Sequence, residues 1–332
     1  MTPAELSRTV RHAVCRAVAD DALPGPVPER IAVERSRPGG RGEYATGIAL
    51  RLAGPAGRPA REVAEILRSR VDTTHGIARV EITGPGFLNF TLGEDSAAAL
   101  VRTILRDPAR YGHGDALAGT VAAFAPAEEP RADLWTRTVV RLLRTQGAEA
   151  AVVPGAEERL SVVPAPDPAA LARLGPDAAR WALLRPAAHD RPYTGLDLLV
   201  QRDSNALFRV RYAYARTRAQ ARAAARLGIG SDPVGSDPTE PGRPAAPLLT
   251  ALGDHPAVLE AAARLRAPDR LARHLELTAE AFLRFQETCR PLPLGDEKPS
   301  AAHSSRTALA EAAGAVLAGG LSLLGVDAPE HL

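Results

Sequence analysis

From Pro3 to about residue 20, the apolar residues Leu6, Val10, Ala13, Val14 and Ala17 recur at helical spacing and form one stripe. With Thr2 as cap and Pro3 at the first helical position, a helix is expected to open the chain. Past the PGPVPE break the pattern gives a short strand at Ile31 to Glu34, an alanine-rich helix around Tyr44 to Leu52, and a helix from Pro59 to Val71. The runs RVEIT (79–83) and FLNFTL (87–92) alternate apolar with polar residues around Gly84-Pro85-Gly86, the pattern of two strands joined by a tight connection. A helix near Ser96 to Arg106 then runs into Asp107-Pro108.

The centre is sparser. Thr120 to Ala125 and Ala150 to Val153 are expected as parallel strands joined by a helix from Asp133 to Gln146, which makes one βαβ unit. A further short strand at Leu160 to Val163 and helices at Asp167 to Arg173 and Pro176 to Leu184 follow. From Asn205 onward the period is helical, with segments at Asn205 to Leu227, Pro256 to Leu265, Asp269 to Thr288 and Ser305 to Leu324. Loops rich in Gly, Pro, Ser and Asp are expected at Gly228 to Pro247 and Pro291 to Ser304. The predicted fold class is an α/β N-terminal module over 1–112, a truncated, Rossmann-like α/β centre over 116–186, and an all-α helical bundle over 187–332.

Composition narrows the partners. Among the 332 residues, arginine supplies all but one of 41 basic side chains, and Lys298 is the single lysine. Codon bias in a GC-rich genome produces that pattern without any partner. The net charge is only +2, so any nucleic-acid contact must come from local clustering of arginines. Cys15 and Cys289 match no zinc spacing and suit a reducing compartment. No basic start leads into an apolar run, and no unbroken stretch of about 18 apolar residues appears. A cytoplasmic protein with no membrane or DNA partner is expected.

Five separated stretches carry a resemblance. GEYATGIALRLA (42–53) and GPGFLNFTL (84–92) resemble the N-terminal additional domain of arginyl-tRNA synthetases. GPDAARWALLR (175–185), SNALFRVRYAYARTRA (204–219) and ALAEAAGAVLAGGLSLLGVDAPEHL (308–332) resemble the DALR-type helical anticodon-binding domain of that family, in family order. The resemblance implies tRNA as partner, with the additional domain set against the outer corner of the tRNA and the helical domain against its anticodon.

The middle breaks the family pattern. Synthetases of that class handle ATP with H-x-G-H and usually a K-M-S-K-like loop, and no two of the eight histidines here lie three residues apart. Setting Arg131 on the arginine just past the motif puts the motif itself on Pro126-Ala127-Glu128-Glu129, which places carboxylates where ATP oxygens would sit. Lys298 falls in a loop past the anticodon-domain motifs and is followed by Pro299, which excludes both the catalytic-loop lysine and a Walker A loop. G-x-G-x-x-G, H-E-x-x-H and Cys/His ligand spacings are absent, so no catalytic residue, metal or cofactor is assigned. Glu128 and Glu129 are expected in a solvated loop.

Binding chemistry remains. Arg209, Tyr212 and Arg216 follow at i, i+3 and i+7 and share one helix face, where arginines hold phosphates while a ring stacks on an unpaired base. The resemblance maps Tyr212 and Arg216 onto anticodon-loop contacts, Arg209 onto a usually aromatic position, and Leu332 onto the family's terminal methionine near the anticodon. The bland alternative makes Tyr212 and Tyr214 core aromatics and the arginines a solvated face. In FLNF the strand alternation sends Leu88 and Phe90 inward, and Phe87 with Asn89 to the other face. The resemblance makes that pair an outer-corner contact; the alternative has Asn89 satisfying backbone groups at the turn. Arg37 and Arg41 are weaker phosphate candidates. Two functions stay open: a non-catalytic tRNA-binding protein that supplies tRNA or aminoacyl-tRNA to another enzyme, or an interaction pseudoenzyme without RNA affinity. A third, residual arginine-tRNA ligase activity, is opposed by the missing H-x-G-H.

Overall fold

The computed structural model describes residues 3–28, 31–36, 41–71, 76–93, 95–165, 168–231 and 245–332. Thr2, Arg37, Asp167 and most of the 228–247 loop lie outside them. Two compact units emerge, residues 1–100 and 101–332.

In the first unit, α1 (Pro3–Ala19) turns Leu6, Val10, Ala13, Val14 and Ala17 into the core, all fully buried. A four-stranded antiparallel sheet runs in the order β1 (Glu34–Arg35), β2 (Tyr44–Thr46), β4 (Phe87–Leu92), β3 (Ile77–Thr83). Helices α2 (Ile48–Ala56) and α3 (Ala60–Val71) pack on β4, α3 also meets β3, and α1 lies against α3. The first strand is thus shifted from Ile31–Glu34 to Glu34–Arg35. The helix expected around Tyr44 begins only at Ile48, because Tyr44, Ala45 and Thr46 pair with Phe90, Asn89 and Leu88. Ladder pairing overrides the local alanine preference. At the β3–β4 turn Gly86 has φ +142, and a Cβ there would stand 2.8 Å from the Ala60 carbonyl oxygen, so the hairpin can sit on α3 only with glycine. Helix α4 (Asp95–Arg106) crosses the division between the units.

The second unit starts with β5 (Val121–Phe124), α5 (Pro130–Thr145) and β6 (Glu149–Val152), and the two strands are parallel and in register from Val121↔Glu149 to Phe124↔Val152. The strand expected at Leu160 to Val163 does not form; one bridge, Phe124 to Glu158, is what remains on that side. With no third strand to extend the sheet, Val163 bonds instead to the Ala188 carbonyl. Helix α6 (Pro168–Leu184) is broken at Gly175 (φ 70, ψ 174) just before Pro176, where the sequence expects two helices.

Helices α7 (Ala206–Arg226), α8 (Ala246–Arg264), α9 (Pro268–Thr288) and α10 (Ala301–Leu324) form the bundle, in which α10 packs on α7 and α9, and α8 on α9. Helix α8 starts ten residues before the expected Pro256, which sits inside it, and α10 starts at Ala301 behind a Ser300–His303 capping box. Helix α10 is long and apolar enough to cross a membrane, yet Ala308, Ala312, Ala313, Val316, Leu317, Leu321 and Leu324 are buried in the bundle. Gly314 lets it approach α7: a Cβ would stand 2.5 Å from Thr217 Oγ1. His255 stacks on Tyr111 (ring centroids 5.8 Å) and meets His274 in a tilted contact (5.3 Å, planes 32° apart), and among the described residues His255 Nδ1 and His274 Nε2 have no hydrogen-bond partner. Burial holds His274 down at about 4 and His255 well below the usual histidine range.

Candidate nucleic-acid interface

In the first unit the alternation along β4 sorts its side chains: Leu88 and Phe90 are fully buried in the core, while Phe87 is 40% exposed. Asn89 lies on the Phe87 side but is nearly buried, at 6%. Its Nδ2 donates to Thr83 Oγ1 at 2.7 Å and to the Phe87 carbonyl at 3.2 Å, both within the hairpin, whereas among the described residues nothing donates to its Oδ1. Asn89 therefore does fasten the turn and still lines a groove of about 480 Å³ together with Arg35, Thr46, Arg51 and Phe87. The Phe87 ring lies over Gly47, whose missing Cβ would meet it at 3.3 Å. What the groove offers is a half-exposed ring, an acceptor edge and flanking arginines. Arg41 is held elsewhere, in an ion pair with Glu81 at 2.8 Å.

In the second unit, Asn205 caps α7 through Oδ1, which accepts from Phe208 N, while its Nδ2 donates to the Leu198 and Val200 carbonyls. This one side chain ties the short 3-10 helix Leu196–Leu199 to the start of α7. On α7, Tyr212 and Arg216 are exposed and Arg209 is half-buried, so the tyrosine is not a core residue. The Tyr212 ring stacks on Phe208 (centroids 5.6 Å, planes 22° apart), and Arg216 Nε is 3.3 Å from Gln286 Oε1. Leu332 does not join the Arg209, Tyr212 and Arg216 face directly. It lines a neighbouring groove with Phe208 and Arg211.

Sequence reasoning did not single out Phe208, Arg211 or the contacts that hold the tail. Glu330 pairs with Arg218 (3.0 Å) and Arg222 (3.2 Å), pinning the last residues along α7. The i, i+4 spacing of those arginines was the available signal, but its partner lies more than a hundred residues away.

The centre is arranged differently. Glu129 is the cap of α5, not a solvated loop residue: Oε2 accepts from Ala132 N at 2.7 Å and Oε1 from Ala165 N at 3.0 Å, with Pro130 in the first turn. Glu128 is exposed. A helix N-terminus is an anion site through its free N–H groups and its dipole, and here the protein's own carboxylate fills it. Two residues on, Arg131 is fully buried. Its guanidinium donates to the carbonyls of Val163 (2.6 Å), Leu183 (2.9 Å), Pro186 (3.1 Å), Ala187 (2.8 Å) and Asp190 (2.8 Å), and it lies 5.2 Å from the Trp135 ring centre. Desolvation lowers its pKa, opposed by the charges of Glu129, Asp190 and Asp269. Every donor is spent on holding the 163–190 segment against α5. Among the described residues no three His, Cys, Asp or Glu side chains are grouped to hold a metal ion.

Comparison with known proteins bears on both ends. Residues 4–92 match the family described as the arginyl tRNA synthetase N terminal domain, and residues 210–332 match the DALR anticodon binding domain. The arginine–tRNA ligase of Frankia alni is 28% identical, with all of this chain and all of that protein covered. That alignment runs over 555 positions although this chain has 332 residues, so a large part of it is gap on this side. Among solved structures, the fold is similar to Thermus thermophilus arginyl-tRNA synthetase (TM-score 0.70, 12% identity, all of both chains covered). It is also similar to the Plasmodium falciparum enzyme (TM-score 0.67, 8% identity, 99% of both).

Proposed function

Because the chain is an arginyl-tRNA synthetase-like protein with the family's N-terminal and DALR-type domains at its ends, we propose that it binds tRNA without carrying out aminoacylation. The observation that carries the reading is the α7 face, where an exposed Tyr212 stacked on Phe208 stands beside Arg209 and Arg216. An aromatic platform next to guanidinium groups suits a single-stranded loop, since stacking is worth about 1–3 kcal/mol per base and the arginines take the phosphates. Leu332, on the adjoining groove, would close the site at its edge. The Phe87 and Asn89 groove is a second contact surface, with Phe87 as the stacking ring and Asn89 Oδ1 as the base-edge acceptor.

The non-catalytic half of the proposal rests on Glu129 and Arg131. A carboxylate that accepts from the Ala132 N–H in the first turn of α5 repels a nucleotide phosphate, and Arg131 has no donor left for a substrate. Retention without chemistry suits an escort that supplies tRNA or aminoacyl-tRNA to another enzyme. The test pairs two assays on purified protein. ATP–pyrophosphate exchange with arginine should stay at background, and arginine tRNA should be retained on filters and lost with Tyr212→Ala plus Arg216→Ala. Arginine-dependent exchange would overturn the first half, and equal retention by the double variant the second.

A further inference from the structure

The outward face of α1, in the first unit, carries a stripe of charge that the α7 reading does not use. Arg8, Arg11, His12, Cys15 and Arg16 follow at i, i+3, i+4, i+7 and i+8, on the side of the helix opposite the buried Leu6, Val10, Ala13 and Ala17. Arg8, Arg11, His12 and Arg16 are exposed, and Cys15 is half-buried among them. Elsewhere in this unit Arg41 and Arg79 pair with Glu81, Arg58 with Glu62, Arg68 with Glu65, and Arg70 with Asp20. The α1 stripe is not neutralised in that way. Among the described residues no carboxylate pairs with Arg8 or Arg11, and Arg16 donates to the Arg70 carbonyl at the end of α3. Glu5, the single carboxylate of the helix, stands in its first turn, where the helix dipole favours it.

What the stripe lacks narrows its occupant. It has no Phe, Tyr, Trp or large aliphatic side chain, hence neither the aromatic anchors of a protein contact nor an apolar face to lower into a membrane. The open depression beside it, about 390 Å³, is lined by Thr9, His12, Cys15 and Arg16 and is equally short of apolar bulk. Unpaired guanidiniums spaced along a helix suit a run of phosphodiesters, which they hold by charge-assisted hydrogen bonds that fix position without reading sequence. We infer that the α1 face holds the sugar-phosphate backbone of a second stretch of RNA, distinct from the one assigned to α7. The Phe87 and Asn89 groove is a different surface. No α1 residue lines it, and Phe87 and Asn89 leave the sheet on the face away from the core that α1 closes. The inference stands on the charge of α1 and does not require the α7 face to bind.

The test uses full-length protein and labelled oligouridine about 12 nucleotides long, within the span of single-strand sites. Anisotropy across a salt series gives affinity and slope together. Arg8→Gln plus Arg11→Gln should weaken binding about tenfold and lower the slope by about 1.4, at roughly 0.7 per phosphate on a single strand. Oligoadenosine should lose as much, because backbone contacts read no base. Circular dichroism melts establish that the double variant folds, and ultraviolet cross-links from 4-thiouridine in the wild type should fall within residues 8–16. Unchanged affinity in the folded double variant overturns the inference. Equal binding of an oligoglutamate peptide to the same arginines overturns it too and leaves α1 to an acidic protein segment. So does loss of all oligouridine binding in Tyr212→Ala plus Arg216→Ala, which puts the contact on α7 alone. If the wild type holds oligouridine through Arg8 and Arg11 but retains no arginine tRNA, the α7 reading falls and this one stands.

Discussion

The N-terminus of α5 and the exposed face of α7 both present groups suited to polyanions, yet one is closed and the other open. At α5, Glu129 takes the Ala132 N–H of the first turn together with the Ala165 N–H, and Arg131 spends its guanidinium on five carbonyls. At α7, Tyr212 is exposed beside Arg209 and Arg216, and on the adjoining groove Arg211 keeps an unmet donor. The difference teaches that arginine count alone says little about binding. What matters is whether the charge already has a partner inside the protein, because only an unspent donor has free energy left to give a ligand.

The most severe way to break the contrast is Arg131→Met. Five carbonyls lose their donor, and removing one partner of such a buried charged network costs about 3–5 kcal/mol. Both tryptophans, Trp135 and Trp181, lie in the second unit, so their fluorescence reports its unfolding selectively. Melting of that signal should fall steeply; an unchanged melt would mean Arg131 is not what holds the centre closed.

The open face comes next in size. Replacing Tyr212 and Arg216 together by alanine should cost about 2–3 kcal/mol of RNA affinity while leaving the tryptophan melt within about 0.5 kcal/mol of wild type. Stability would be the quantity to suffer, and binding the one to survive, if Tyr212 served only packing.

Acid sharpens the same comparison from a third direction. His274 and His255 are buried neutral, with folded pKa values below the ordinary 6.5. Above that value neither state binds the proton and nothing changes; below it the unfolded chain takes up protons that the fold refuses. Stability of the second unit should therefore decline as pH falls from 6.5 toward 4, by about 2 kcal/mol at pH 5 from His274 alone. Denaturant titrations at pH 7.5 and 5 measure it, and His274→Gln should flatten the difference.

The smallest effect belongs to Glu129→Ala, which removes a helix cap worth about 1 kcal/mol. Binding of ATP to this variant should remain undetectable by calorimetry, since Arg131 is still committed. Tight ATP binding there would show that Glu129 alone closes the centre.

How much of this was legible depended on the range of the interactions involved. The β3–β4 hairpin was readable because period-2 alternation and Gly84-Pro85-Gly86 are local, and so was the shared face of Arg209, Tyr212 and Arg216, which needs only the helical repeat. Tyr44 to Thr46 reads locally as helix because its strand exists through pairing with β4, some forty residues on. The start of α8 escapes a local reading because Pro256 has the character of a helix boundary, although Pro247 in the first turn lets the helix begin at Ala246. Glu129 could not be recognised as a plug from local sequence, since one of its partners, Ala165, lies far along the chain. The groove of Phe208, Arg211 and Leu332 was invisible for the same reason: it is assembled from α6, the 3-10 helix, α7 and the tail.

The central claim, an RNA grip kept while the chemical centre is closed, is tested most directly by the salt dependence of arginine-tRNA retention by the wild-type protein. Several phosphate contacts predict tight binding at low salt and a steep linear fall of log affinity with log salt, at roughly 0.9 or less per phosphate engaged. Absence of retention at low salt, or an affinity indifferent to salt, would contradict the account.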